Sequence, residues 1–108
     1  MAKSVPRVRV PAAAKPGDVI EIKTLISHDM ETGQRKDSEG NLVPRRIINK
    51  FEASVDGKVV FSAEWHPSVS ANPYQSFFLR VNETKKIDFA WTDDDGSVYK
   101  TSATVNVA

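Results

Sequence analysis

Apolar and polar residues alternate along most of this chain with a period of two, the spacing of half-buried strands. The cleanest run is Asp18 to Ile26, with Ile20, Ile22 and Ile26 on one face and Glu21 and Lys23 on the other. Before it, Val8 and Val10 alternate with Arg7 and Arg9, and Pro6 and Pro11 confine that short strand to a sheet edge. Ala12 to Asp18 reads as a turn, with Pro16 fixing φ and Gly17 free to take a positive φ. From Arg46 the pattern resumes, with Ile47, Phe51, Ala53 and Val55 sharing a face and Asn49 as its polar interruption. Asp56-Gly57 between two alternating runs is a hairpin signal, and beyond it Val59, Phe61, Ala63 and Trp65 point one way. Three further strands carry Phe77, Leu79 and Val81; then Ile87, Phe89 and Trp91; then Tyr99, Thr101, Ala103, Val105 and Val107.

About seven short antiparallel strands joined by Gly- and Pro-marked turns predict an all-β fold, an immunoglobulin-like β-sandwich, in one domain spanning 1–108. A small Greek-key barrel is the main competitor. No segment carries a helical stripe.

One stretch escapes the alternation. His28 to Arg45 has no apolar periodicity, is broken by Gly33, Gly40 and Pro44, and mixes Asp29, Glu31, Asp37 and Glu39 with Arg35, Lys36 and Arg45. Loops of this length in a small domain are functional or disordered. The strands supply a core without it, so it reads as surface, with Ser38 to Asn41 as ordinary turn material. A second loop, His66 to Gln75, is bounded by Pro67 and Pro73.

Composition narrows the function classes. The 108 residues are 40% hydrophobic and 27% charged with net charge +1, an ordinary globular balance without the basic footprint of a nucleic-acid binder. No apolar run approaches the ~20 residues of a membrane helix. Met1 to Arg7 lacks the apolar stretch of a signal peptide. Absence of cysteine excludes disulfides, thiolate metal sites and a cysteine nucleophile.

Candidate chemistry is thin. No nucleophile elbow, phosphate loop or zinc-binding HExxH is present, so the chain reads as non-catalytic. Asp93, Asp94 and Asp95 supply only part of a calcium shell and read as a solvated turn. His28 and His66 could meet at strand ends, but two imidazoles alone make a poor metal site, and neither metal nor cofactor is implied. The aromatics Trp65, Trp91, Phe51, Phe61, Phe77 and Phe89 belong to the core. Leu25, Ile48, Val60 and Phe78 fall on outward faces; together on one sheet they would form a partner-binding patch.

Four stretches carry a family resemblance: Lys15 to His28, then Met30-Glu-Thr-Gly-Gln-Arg-Lys-Asp37, then Val43-Pro-Arg-Arg-Ile-Ile48, and later Ser70-Ala-Asn-Pro-Tyr74. Over essentially its whole length the chain resembles SoxZ, the subunit without cysteine in the SoxYZ sulfur carrier of bacterial thiosulfate oxidation. The resemblance implies a heterodimer of immunoglobulin-like subunits in the periplasm. Its SoxY partner would carry sulfur intermediates on a C-terminal Gly-Gly-Cys-Gly-Gly arm and bring the export signal for both chains. It also implies transient contacts with other Sox enzymes. The residues expected at partner surfaces are His28, Met30, Glu31, Thr32, Gly33, Arg35, Lys36 and Asp37 in the long loop. Ser70, Asn72 and Tyr74 in the second loop join them, with Ile48, Val60 and Phe78 on a sheet face. The rivals are a superoxide-reductase-like iron sandwich, for which the chain is short of histidine and lacks cysteine, and an adhesion or carbohydrate-binding module.

Overall fold

A computed structural model describes residues 4–108; Met1 to Lys3, part of the segment weighed as an export signal, lie outside it. Eight strands form two sheets: β1 (Pro6–Arg9), β2 (Ala13–Ala14), β3 (Asp18–Ile26), β4 (Ile48–Val55), β5 (Lys58–Glu64), β6 (Tyr74–Val81), β7 (Lys85–Asp93) and β8 (Val98–Val107). One sheet has three strands in the order β1-β3-β6; the other has five in the order β2-β8-β7-β4-β5. This is the expected sandwich, with one addition. Ala13–Ala14, read as part of a turn, pairs parallel to Asn106–Val107 as a short edge strand, so one pairing is not antiparallel. The chain crosses between sheets five times: at Val10–Ala12, at Lys15–Gly17, through the loops after β3 and β5, and at Asn82–Thr84.

Local chemistry sets the turns. Lys15-Pro-Gly-Asp18 closes with the Asp18 N–H donating to Lys15 O at 3.0 Å, and Gly17 takes φ 89° at the position where a type II turn needs it. Asp56 and Gly57 have φ 54° and 78°, the paired positive values of a type I′ hairpin.

The core lies between the sheets. Phe51 is at its centre, with ring centroids 5.1 Å from Trp91, 6.0 Å from Trp65 and 6.4 Å from Phe89. Phe61 of β5 stacks on Phe77 of β6 at 4.6 Å and ties one sheet to the other. Ile20, Ile22 and Ile26 of β3 close the core from the three-stranded side, together with Thr24, whose hydroxyl donates to Gln75 O at 2.7 Å.

Two bulges overturn readings made from alternation. In β4 the register against β7 shifts between Ile48 and Lys50, so Asn49 is an extra residue. One added residue flips every side chain beyond it. Ile48, expected on an outward partner-binding face, is therefore fully buried beside Ile47 and cannot touch a partner. In β5 the pairing passes from Ala53–Phe61 to Ser54–Val59, leaving Val60 extra. Val59, expected inward, is 47% exposed, and Val60 is 41% exposed.

The molecule is long for its size. Its radius of gyration is 16.2 Å, against about 13 Å for a compact domain of this length.

Candidate functional site

The segment between β3 and β4 is an irregular hairpin bound to the sandwich. Glu31 and Arg46 exchange two backbone hydrogen bonds of 2.8 Å, Val43 N–H donates to Arg35 O at 2.8 Å, and Lys36 pairs with Leu42. Three residues on one arm then face two on the other. Gly33 makes that possible: its φ is 85°, and a Cβ there would come 2.9 Å from Arg45 Cβ. At the tip, the Asp37 carboxylate accepts from the N–H groups of Glu39 and Asn41 at 2.9 and 3.0 Å, a side-chain cap that shapes the turn. Residues 34–42 are all exposed.

The base of this hairpin is latched to the β7–β8 turn. His28 is buried, and its Nε2 lies 2.7 Å from Asp93 Oδ2. The Met30 N–H donates to His28 Nδ1 at 2.9 Å, and since that amide can only donate, Nδ1 is the acceptor and Nε2 carries the proton. Asp93, itself 1% exposed, also accepts from Tyr99 OH at 3.2 Å and lies 3.4 Å from Arg46 Nε. Asp94 accepts from Arg45 Nε at 2.8 Å, Arg45 Nη2 at 3.0 Å, the Ile47 N–H at 3.1 Å and Asn49 Nδ2 at 3.0 Å. The Arg45 guanidinium, then the Asn49 and Ile47 donors, hold that carboxyl far below the ordinary aspartate range despite partial burial. The aspartates read as a solvated turn are instead the anchor of the long loop; only Asp95 is exposed, paired with Arg46 at 3.0 Å.

Met30 completes the latch. It is 4% exposed, belongs to the core, holds φ 52°, and its sulfur accepts from the Ile48 N–H at 3.3 Å. The loop is therefore not a spare insertion: part of it is core. The second loop joins the same node, because Asn72 Oδ1 accepts from the His28 N–H at 3.0 Å and the Asn72 N–H donates to His28 O at 2.7 Å.

The expected surface residues thus divide. His28 and Met30 are buried and act structurally, while Glu31, Thr32 and Gly33 are half-buried. Arg35, Lys36 and Asp37 are exposed on the hairpin, with Arg35 held to Glu31 at 2.7 Å, a contact that lowers the Glu31 carboxyl. Ser70, Asn72 and Tyr74 are exposed at and after the second loop. Leu25 and Phe78 share the outer face of the three-stranded sheet, but Val60 lies on the far edge of the other sheet, so the four apolar candidates do not form one patch. Val19, not singled out from the sequence, and Tyr74 of the second loop join them as exposed apolar residues on that face; Tyr74 lies opposite Leu25. The signal was available: both residues sit out of phase with the buried positions of their strands.

A cleft of about 500 Å³ separates the hairpin from the β7–β8 turn, lined among others by His28, Glu31, Arg35, Arg45 and Asp95. In it Glu31 pairs with Arg35, Arg45 with Asp94 and Arg46 with Asp95. Both ring nitrogens of His28 are already engaged, which leaves neither free to bind a metal. Among the described residues no group of three or more His, Cys, Asp or Glu is placed to hold a metal.

The model of a known family, the sulphur oxidation protein SoxZ, matches residues 8–104. The chain belongs to the SoxZ family. No curated protein matches it. Among solved structures, the sulfur carrier protein SoxY from Chlorobium limicola f thiosulfatophilum superposes with a TM-score of 0.67 at 15% identity, over 94% of this chain and 74% of that one. Superoxide reductase (neelaredoxin) from Ignicoccus hospitalis gives 0.70 at 12% identity, over 95% of this chain and 80% of that one. At these identities the likeness is one of fold. The SoxZ match places the chain among sulfur oxidation proteins of the Sox system, and the sandwich is one that a SoxY carrier also adopts.

Proposed function

We propose that this SoxZ-family chain is the non-catalytic subunit of a heterodimer, binding a SoxY-like carrier whose cysteine arm bears the sulfur. The carrier covers the outer face of the three-stranded sheet, and the hairpin with the second loop guides the arm and the enzymes that visit it. The observation that carries this reading is the difference between the two outer sheet faces. That of the three-stranded sheet exposes Val19, Leu25, Tyr74 and Phe78, with Phe78 68% accessible. The outer face of the five-stranded sheet displays Ser54, Asp88, Ala90, Lys100 and Ser102 across its middle strands and, apart from Val59, Val60 and Val98, no large exposed apolar group of comparable accessibility and no aromatic one. Large apolar and aromatic groups on one face suit a partner, since interfaces are rich in aromatics, and Glu21, Lys23 and Arg80 on the same face offer it charges to pair.

The 108 residues contain no cysteine, so the thiol that holds sulfur belongs to the partner. Arg35, Lys36 and Asp37 on the hairpin, with Ser70, Asn72 and Tyr74, offer charged and polar groups for brief contacts, where charge sets orientation and rate. In this reading both chains work in the periplasm, reached together on the partner's export signal.

The test is co-expression with a SoxY-like carrier, with and without Phe78→Asp. The wild-type pair should elute as one complex at micromolar concentration, and the variant, equally folded, should separate. Two wild-type chains that elute apart refute the heterodimer. A Phe78→Asp complex as tight as wild type refutes the assigned face. Periplasmic fractionation with and without the carrier tests the export route.

A further inference from the structure

The buried His28 is used by neither docking nor any catalytic step, yet the hairpin, the second loop and the β7–β8 turn all meet on it. Its ring works only in one protonation state. The Met30 amide points its hydrogen at Nδ1 over 2.9 Å, and the Nε2 proton goes to Asp93 over 2.7 Å. A second proton can enter only at Nδ1, where it would face the Met30 N–H, donor against donor. We propose that protonation of His28 unlatches the base of the hairpin, so that residues 29–46 form an acid-released element while the sandwich stays folded.

Several features favour local release over global unfolding. Met30 already holds φ 52°, a left-handed conformation that disfavours any residue but glycine, so rotation of its peptide relaxes the backbone. Beyond the latch the hairpin is held by backbone bonds at Glu31–Arg46 and Arg35–Val43 and by the Arg45–Asp94 ion pair, while residues 34 to 42 are exposed and bury nothing. Charges around the ring set the balance. Asp93 of β7 would hold an imidazolium, and Asp95 of the adjoining turn faces it as well. Arg46, 3.4 Å from the same Asp93 oxygen, competes for that carboxylate, and Tyr99 of β8 meets the ring edge-on at 6.5 Å. Asp29, Glu31, Arg35, Arg45 and Asp94 line the cleft beyond. An imidazolium keeps its bond to Asp93 but loses its acceptor for Met30, so the contact that fails is the one on the hairpin side. Histidine is the side chain whose charge changes within the physiological range. The inference rests on this geometry alone and stands whether or not the hairpin meets a partner.

The full 108-residue chain, labelled with nitrogen-15, tests it between about pH 8 and about pH 5. The ring resonances of His28 should show the Nε2–H tautomer at the upper end and a proton arriving on Nδ1 as pH falls. Over the same range the amides of Met30, Glu31 and Arg46, corrected for intrinsic exchange, should lose about tenfold or more of their protection relative to Phe51 and Phe89. In His28→Gln that ratio should not change with pH. The inference is overturned if Nδ1 takes no proton down to the lower limit, if it does so with hairpin protection intact, or if the variant loses protection as the wild type does. Should the variant not fold, the ring titration and exchange of the wild-type chain decide alone.

Discussion

Asp94 grips Arg45 at two points across forty-nine residues of sequence, Oδ2 to Nε at 2.8 Å and Oδ1 to Nη2 at 3.0 Å. Two parallel bonds fix the guanidinium plane as well as its distance. The same carboxylate also caps Ile47 and Asn49, and so holds the end of the hairpin and the β4 bulge together.

Asp94→Asn should therefore reduce stability at neutral pH by about 2 kcal/mol. The folded-state pKa is depressed, so the contribution is complete above the ordinary aspartate value near 3.9 and disappears as pH falls through the lower folded value. Thermal melts at neutral pH and at successive steps below about pH 4 check the sign: wild type and variant should converge. A gap that stays constant to the lowest pH would place the effect elsewhere.

Asp93 is the more consequential neighbour. Removing its carboxylate leaves His28, Tyr99 and Arg46 without the oxygen they converge on, in a site where Asp93 is 1% exposed. Asp93→Ala should cost about 3–5 kcal/mol in urea unfolding, whereas Tyr99→Phe, which removes one hydroxyl bond, should cost about 1 kcal/mol. Similar losses for the two variants would show that the node is not anchored on Asp93.

Gly33 and Gly40 share a positive φ, 85° and 82°, but only Gly33 lies against another chain segment. Gly40→Ala should cost about 1 kcal/mol, the backbone penalty alone. Gly33→Ala adds a Cβ 2.9 Å from that of Arg45 and should release the hairpin. Faster exchange of the Glu31 and Arg46 amides in Gly33→Ala, absent in Gly40→Ala, is the expected reading.

On the proposed interface, substitutions at Phe51 and Phe78 should separate folding from association. Phe51→Ala should destabilise by about 3–5 kcal/mol through the cavity it opens, because the ring is fully buried. Phe78→Ser should move the melting temperature little and weaken carrier binding, which calorimetry on the purified pair can measure. A Phe78→Ser variant that melts far below wild type would make the residue a folding element.

Wherever the chain is a regular strand, its period announced the fold: Ile20, Ile22, Phe77, Phe89 and Trp91 are inside as alternation requires. Alternation fails where one residue is added. The bulge at Asn49 reversed the reading of Ile48, and that at Val60 exposed Val59, because a single insertion exchanges the faces of a strand. The latch was illegible for a different reason. Asp93 and Asp94 have the composition of a turn, and their partners His28, Arg45 and Arg46 are remote in sequence. The one local hint was charge: an Arg45-Arg46 pair in one loop and three consecutive aspartates in another are complementary.

The remoteness of those partners has a consequence for synthesis on the ribosome. β3 has β1 to pair with at once and waits for β6 only on its other edge, but the latch of the hairpin waits longer still, since its anchors are Asp93 and Asp94. A nascent chain interrupted before residue 93 carries every residue of the long loop but lacks the two carboxylates that latch its base. The loop's final shape thus forms late in folding, after the strand that ends at Asp93 has joined its sheet.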